Sequence, residues 1–363
     1  MKVTIIGSGL VGGSIGLSLK QTSVAEHIIA YDQDPSVATR AVERGAADAA
    51  SASLEEAASD RDVIFIATPV GVISRVARDL VPYLSGGTLL TDVGSTKSRV
   101  VVEIEETLPE GVTFIGGHPM AGSEDEGIDA ARPDLFKGAW WILTPTARSD
   151  ADAYGRLNAL VTTLGARVMA LEPAEHDRLM AMISHLPQLT ASALMNLVAE
   201  QGKDHGGLLA LAAGGFRDVT RIAASNPEIW VDICRENGPA IVEALERMAS
   251  ELLHLRDLVE QDDLEALRHA LGAARAARRS LPEREVTGAL HDVRFPVPDR
   301  PGVLAEVTTV IGNLGVNIED LRITHTVEGG RGTLHLSIVG EEGASRVVHA
   351  LAARGYQAKA FSS

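Results

Sequence analysis

Cysteine is almost absent: Cys234 is the one thiol in 363 residues, so no internal disulfide can staple the chain. A reducing, cytoplasmic setting is the expectation, with Cys234 read as a small buried apolar residue. Long hydrophobic runs are missing too, since nothing approaches the 18 or more consecutive apolar residues that span a bilayer. The stretch from Met1 to Leu19 comes nearest, but glycines at 7, 9, 12, 13 and 16 interrupt it and no A-x-A-like cleavage site follows. It reads as a strand and turn, and the chain is expected to be soluble, with no membrane partner. Positive charge is scarce. Lys plus Arg is 33 against 49 for Asp plus Glu, a net charge of −16, which is the wrong sign for a general binder of phosphate backbones, so nucleic acid is set aside as a partner. No histidine or cysteine spacing defines a metal site. What is present is ordinary for a globular protein, 45% hydrophobic and 23% charged residues, and the length favours two or three domains over one.

Short β-branched runs alternate with helical patterns over the first 170 residues: Val3 to Ile6, Ile28 to Tyr31, Val63 to Ile66, Thr88 to Thr91, Thr113 to Ile115 and Trp140 to Leu143. Strands separated by helices predict βαβ units and a parallel sheet. After Leu171-Glu172-Pro173 the texture becomes helical. Ile241, Leu245, Met248, Leu252, Leu255 and Val259 recur at spacings of three and four, as do Leu186, Leu189, Ala193 and Leu197. Such stripes usually fill a core, and a helical domain behind a nucleotide fold also commonly supplies a homodimer interface. The cluster Arg275, Arg278 and Arg279 before Leu281-Pro282 reads as a helix end followed by a linker. From His291 the order is strand, helix, strand, strand, helix, strand, that of a small ferredoxin-like α+β unit. The expected division is therefore a Rossmann-type α/β domain over 1–171, an all-α domain over 172–283 and the α+β unit over 291–363.

Gly7-Ser8-Gly9-Leu10-Val11-Gly12 directly follows the first strand and opens a helix, and a strand ends at Asp32 about 20 residues later. In that setting Gly7 permits the tight turn, Gly9 lets the backbone approach a pyrophosphate, Gly12 allows close helix packing, and the helix N-terminus offers N–H groups to the anion. Asp32 is suited to the ribose hydroxyls and would repel a 2′-phosphate, so NAD is expected over NADP. Ala67-Thr68-Pro69, Asp92-Val93-Gly94-Ser95-Thr96-Lys97 and Gly116-Gly117-His118-Pro119 each end a later strand. Strand C-termini line the ligand crevice of an open parallel sheet, so these turns should converge near the nicotinamide. A lone His118 is more often structural than catalytic; its place at a strand end, with Ser95 at the neighbouring turn, points to function.

These motifs stand in order with Gly117-His118-Pro119-Met120-Ala121-Gly122-Ser123-Glu124, His176-Asp177, Ser184-His185-Leu186-Pro187 and Gly215-Phe216-Arg217-Asp218-Val219-Thr220-Arg221-Ile222-Ala223. The set closely resembles the prephenate dehydrogenase family over nearly all of residues 1–283. The resemblance implies NAD-dependent oxidation of prephenate at its ring carbinol, with loss of CO2 as the ring aromatises to 4-hydroxyphenylpyruvate, the tyrosine precursor. His118 matches the family's catalytic histidine, and a neutral imidazole suits the removal of the carbinol proton. Ser95 matches the serine beside it. Arg221 matches the substrate-binding arginine, suited to a substrate with two carboxylates. Arg217, Asp218 and Trp230 match positions around it, with a helix-surface ion pair and a core tryptophan as alternatives. Ser184 and His185 either support the site or cap the following helix.

One position departs from the pattern: where many prephenate-specific relatives show Ser-His-x-Pro-His, this chain has Gln188. A neutral amide tolerates the ammonium of arogenate better than a cation would, and Glu124 could also face that ammonium. Prephenate is the expected substrate and arogenate the runner-up. Val297-Pro298-Asp299-Arg300-Pro301-Gly302-Val303-Leu304-Ala305 followed by Gly315-Val316-Asn317-Ile318 resembles an ACT regulatory domain. That resemblance implies paired sheets and an amino-acid effector, tyrosine for this pathway, held around Asp299, Arg300, Gly302, Val303, Leu304, Asn317 and Ile318; a domain that only dimerises is the alternative. Two other functions fit the motifs less well. A β-hydroxy-acid dehydrogenase would carry a helix-borne lysine in place of the Gly-His-Pro turn, and a non-catalytic sensor would have no need of Ser95, His118 and Arg221 together.

Overall fold

The computed structural model describes residues 1–122, 125–204, 207–281, 290–298, 300, 303–316, 318–325 and 331–362, which divide into two compact units, Met1–Arg268 and His269–Ser363. The first begins β1 (Lys2–Ile6), α1 (Leu10–Thr22), β2 (His27–Tyr31), α2 (Pro35–Glu43), β3 (Ala49–Ala50), α3 (Leu54–Ala58), β4 (Val63–Ile66), α4 (Val70–Leu80), β5 (Leu89–Asp92), α5 (Ser98–Glu105), β6 (Thr113–Pro119), β7 (Trp140–Thr144), α6 (Ala151–Thr163) and β8 (Arg167–Ala170). These strands form one sheet in the order β3-β2-β1-β4-β5-β6-β7-β8. β4 and β5 are buried along their whole length, as strands covered by helices on both faces must be.

The expected all-parallel sheet holds from β3 to β6 and fails at β7, where Gly116 pairs with Thr144 and His118 with Ile142 in antiparallel register. A parallel return needs a crossover of a dozen or more residues, usually a helix, that carries the chain back to the start of the sheet. Among the described residues between β6 and β7 there is only the 3-10 turn Ile128–Ala130, so the chain re-enters from the end at which it left. Two strands went unread. β3 is two residues long, and β8 is a largely exposed edge strand with no apolar run to mark it.

The unit continues with α7 (Pro173–Met180), α8 (Leu186–Asp204), α9 (Gly214–Thr220), α10 (Pro227–Glu236) and α11 (Gly238–Glu260), and α12 (Leu264–Arg279) runs out of it. No border divides sheet from helices: Ala181, Ile233, Ile241 and Ala244 share one core with Ile64, Ile66, Val101 and Phe114. Between α7 and α8 the chain makes a π-helical turn, Ala181–His185. Pro187 explains it. A proline lacks the N–H that would bond four residues back, and its ring crowds that carbonyl, so a wider turn relieves both problems. The α11 stripe fills the core only near its start. Leu252 is 55% and Val259 64% exposed, so most of the stripe faces outward.

The second unit has β9 (Leu290–Pro298), α13 (Val303–Gly312), β10 (Ile318–His325), β11 (Arg331–Val339), α14 (Glu341–Ala352) and β12 (Lys359–Ser362), with sheet order β10-β11-β9-β12. Val293, Phe295, Leu334, Leu336 and Ile338 on the sheet meet Val307, Ile311, Val347 and Leu351 on the helices, the single core such a unit needs. Among the described residues no helix is long and apolar enough to cross a membrane, and no cluster of three or more His, Cys, Asp or Glu is placed to hold a metal.

The seam between α1 and the loop after α2 is closed by Gly16, where a Cβ would lie 2.1 Å from the carbonyl oxygen of Ala46. Gly16→Ala is expected to destabilise the protein by about 1–3 kcal/mol through overpacking. Urea unfolding would show this as a lowered midpoint, and an unchanged midpoint would mean that the seam yields without cost.

Candidate active site

At the C-terminal ends of β1, β2 and β4 a groove of about 430 Å³ is lined by Gly7, Gly9, Tyr31, Asp32, Thr68 and Pro69. Gly7 adopts φ +91°, and its missing Cβ would sit 2.6 Å from the carbonyl oxygen of Ala67, so no other residue fits this turn. Gly12 is not among the residues lining the groove; a Cβ there would fall 2.0 Å from the Gly7 carbonyl oxygen, which makes it the packing glycine of the loop. A Cβ on Gly9 would meet nothing within 4 Å, and α1 starts there without a side-chain cap. The first N–H groups of α1 are left for an anion, as a dinucleotide pyrophosphate requires. The Ser8 N–H donates to Asp32 Oδ2 at 2.8 Å and that of Asp34 to Oδ1 at 3.0 Å, which fixes the carboxylate at the groove with lone pairs to spare for ribose hydroxyls. The Ser8 side chain is buried, and its Oγ has no partner among the described residues.

Gly9, Thr68 and Pro69 also border a cleft of about 650 Å³ that runs on from the groove, and Leu10, Val11, Ser95, His118 and Ser184 line it. The N–H groups of Lys97 and Ser98, at the start of α5, each donate at 2.8 Å to the carboxylate of Asp177 on α7. His176 Nδ1 lies 2.8 Å from the same carboxylate, and His176 Nε2 lies 2.8 Å from His118 Nδ1. His118, His176 and Asp177 thus form a chain from the cleft into the interior. Burial, with the nearby His176, Lys97 and His185 adding to its effect, holds the His118 imidazole well below the ordinary histidine value of 6.5. Burial works the other way on Asp177, but hydrogen bonds from His176, Ser98 and Lys97 outweigh it and keep the carboxyl below its usual range. Beneath the cleft Asp92 and Lys97 make a fully buried ion pair. Burial lowers the Lys97 pKa, against the pull of Asp92. Asp92 also accepts the N–H of Gly94 at 2.8 Å and of Gly117 at 3.1 Å.

The helical residues read from the sequence do not all reach the cleft. Trp230 lines it, and its Nε1–H donates to Ser225 Oγ at 2.8 Å. Gln188 Nε2 donates to the same Oγ at 2.9 Å, and Ser225 donates in turn to the Ile222 carbonyl. Gln188 itself lines a separate pocket of about 410 Å³ with Leu189 and Cys234, so Ser225 and Trp230 stand between it and the cleft. His185 is buried beside Trp230, with Nδ1 3.3 Å from Asn237 Nδ2, and burial pushes its pKa down to about 4. Arg217 donates to the Ala212 carbonyl at 3.0 Å. Arg221, on the 3-10 turn Arg221–Ala224, is exposed and is not among the residues lining the cleft. Glu124 lies outside the described residues. Sequence reading passed over Asp125, Glu126, Asn226, Ile229 and Asp232, all of which line the cleft. Asn226-Pro227, a capping residue before a helix-opening proline, is the sequence signal for the helix that carries Ile229 and Asp232.

In the second unit the side chain of Val303 belongs to the core and Leu304 is 37% exposed. Arg300 donates to Glu306 at 2.8 Å, and Ile318 packs at the edge of the core. Asp299, Gly302 and Asn317 lie outside the described residues.

Comparison with known proteins matches residues 15–170 to the prephenate dehydrogenase nucleotide-binding domain, 172–273 to the prephenate dehydrogenase dimerization domain and 291–356 to the ACT domain. A prephenate dehydrogenase of Bacillus subtilis is 35% identical over 359 residues, covering 98% of this chain and 97% of that one. A cyclohexadienyl dehydrogenase of Zymomonas mobilis is 31% identical over 77% of this chain and 95% of its own. Among solved structures, Aquifex aeolicus prephenate dehydrogenase in complex with hydroxyphenyl propionate and NAD+ superposes with a TM-score of 0.74 at 31% identity, over 78% of this chain and 98% of that one. Synechocystis arogenate dehydrogenase gives 0.69 at 31% identity, over 77% and 99%. With a Gly-rich dinucleotide groove opening into a histidine-bearing cleft, and relatives of this kind along its length, the chain belongs to the prephenate dehydrogenase family.

Proposed function

We propose that the chain is an NAD-dependent prephenate dehydrogenase that makes 4-hydroxyphenylpyruvate and responds to tyrosine through its ACT domain. The observation that carries the reading is His118, set at the end of β6 in a cleft that continues the dinucleotide groove and held neutral by its surroundings. When bound, NAD accepts the hydrogen and electron pair that leave the carbinol carbon. His118 takes the hydroxyl proton on Nε2, the ring nitrogen not turned toward His176. It returns that proton to the phenolate oxygen once CO2 has left, so the reaction neither gains nor loses a proton overall. Ser95, in the same cleft, orients the imidazole or the carbinol. Gly7, Gly9 and the N-terminus of α1 take the pyrophosphate, with Gly12 holding the loop, and Asp32 takes the ribose hydroxyls. By the family match Arg221, with Arg217 near it, is assigned to the substrate's carboxylates; neither lines the cleft, so both would have to turn toward it, and Ser184 and Trp230 form its wall. The near full-length relatives named for prephenate support the substrate.

Arogenate is the second reading, favoured by the carboxylates of Asp125, Glu126 and Asp232 along the cleft, which suit an ammonium. Three domains, 1–171, 172–283 and 291–363, are the division that the three family-model matches support. The exposed apolar stripe on α11 supports a homodimer.

NADH formation measured with prephenate and arogenate side by side is expected to be faster with prephenate, and the reverse would make arogenate the substrate. Tyrosine is expected to inhibit the full chain and to lose its effect when residues 291–363 are removed; inhibition that survives would locate the effector at the cleft. His118→Asn should lower kcat by about 10²-fold or more with NAD affinity unchanged. Protonation of His118 abolishes its function as a base, and its value is depressed. kcat/KM is therefore expected to stay flat through neutral pH and to fall only well below 6.5; an acid limb centred at or above 6.5 would remove His118 from the role.

A further inference from the structure

Resting on His118 as the base of that reaction, we propose that His176 and Asp177 are positioning residues that dictate which nitrogen of His118 faces the substrate. The direction of each hydrogen bond follows from the inner end of the chain. Asp177 already accepts the N–H groups of Lys97 and Ser98, so its carboxylate is ionised and can only accept. The hydrogen between it and His176 therefore sits on His176 Nδ1. One hydrogen fits between His176 Nε2 and His118 Nδ1, 2.8 Å apart, and with the His176 N–H committed to Asp177 the proposed tautomer puts the lone pair on His176 Nε2. His118 must supply the hydrogen of that contact from its own Nδ1, and Nε2 then faces the cleft as an acceptor. The other tautomer of His118 would set two lone pairs against each other and turn an N–H toward the substrate, where it could not take a proton.

His176 is fully buried, so no water can replace it as the acceptor. The ring centroids are 5.1 Å apart with planes crossing at 67°, a separation at which the two nitrogens face each other in line, so the in-plane lone pair of one meets the N–H of the other. When His118 gains the carbinol proton, its Nδ1–H already points along the chain toward the Asp177 carboxylate. The new positive charge meets a fixed acceptor and needs no solvent to reorganise. His118 touches the substrate. The other two act through it.

Two substitutions of His176 separate this role from simple space filling, because each keeps a different end of the chain. In His176→Gln the side-chain oxygen can stand where Nε2 stood and still accept from His118. In His176→Asn the amide can still donate to Asp177, but it falls short of His118. The expectation is a kcat close to that of the parent for His176→Gln and about 10²-fold lower for His176→Asn, with KM for both substrates unchanged in each. Equal kcat in the two variants would overturn the proposal. A readout independent of turnover is the ¹⁵N spectrum of histidine-labelled protein, with the His118 signals identified by their loss in His118→Asn. Protonated Nδ1 and bare Nε2 are expected in the parent and in His176→Gln, with the preference lost in His176→Asn. A protonated Nε2 in the parent would refute the assignment. If the parent oxidises neither prephenate nor arogenate, the proposed function fails, and the spectrum still decides the tautomer.

Discussion

The carboxylate of Asp177 holds the first unit together. It lies at the N-terminus of α5, where two backbone N–H groups of the β5–α5 turn would otherwise be buried without acceptors, and it joins that turn to α7, some 80 residues further along the chain. An anion at a helix N-terminus also gains from the helix dipole. The backbone carbonyl of the same residue accepts Asn237 Nδ2 at 2.8 Å and so ties in the junction between α10 and α11. One residue therefore sets where the sheet, α7 and α11 meet, and the cleft is the space that arrangement leaves.

A second buried charge does similar work on the other side of the same turn. Asp92 receives Lys97 and the N–H groups of Gly94 and Gly117, with the pair wholly shielded from water. Removing one partner of such a pair costs about 3–5 kcal/mol, because the survivor is left charged and unpaired. The strand that carries His118 is thereby fixed one residue before the imidazole. Gly117 cannot be anything larger there: a Cβ would fall 2.6 Å from the Asp92 carbonyl oxygen and 2.9 Å from Trp141 Nε1. The turn bearing Ser95 and the strand bearing His118 converge because a single carboxylate bonds to the backbone of both.

The order of elements was legible because each depends on local chemistry. Val63 to Ile66 reads as a strand from its β-branched run, and Gly7, between strand and helix, reads as a tight turn. The antiparallel β7 was not legible, since its direction depends on the described residues between 120 and 139 forming no crossover helix, and period-two patterns carry no direction. The edge strand β8 lacked an apolar run because half its surface never needed one. At the site, Ser95 and His118 stand out because strand ends in such sheets face the crevice. Gln188 reads as a residue facing substrate, yet its amide bonds Ser225, 37 positions away, and no spacing rule joins them. The same holds for His118 and His176, which were seen as separate motifs and never as neighbours.

The antiparallel seam between β6 and β7 has a consequence for the order in which the chain can organise itself as it leaves the ribosome. The half of β6 that bears His118 has nothing to pair with until residues 140–144 have been made, and the acceptor for its Nδ1 arrives only with residue 176. A nascent chain that ends near residue 110 already carries the glycine loop, Asp32 and Thr68, so the nucleotide groove takes shape before the cleft beside it. The part of the site that performs chemistry is built after the part that holds the nucleotide, and it cannot form in a fragment that contains the groove alone.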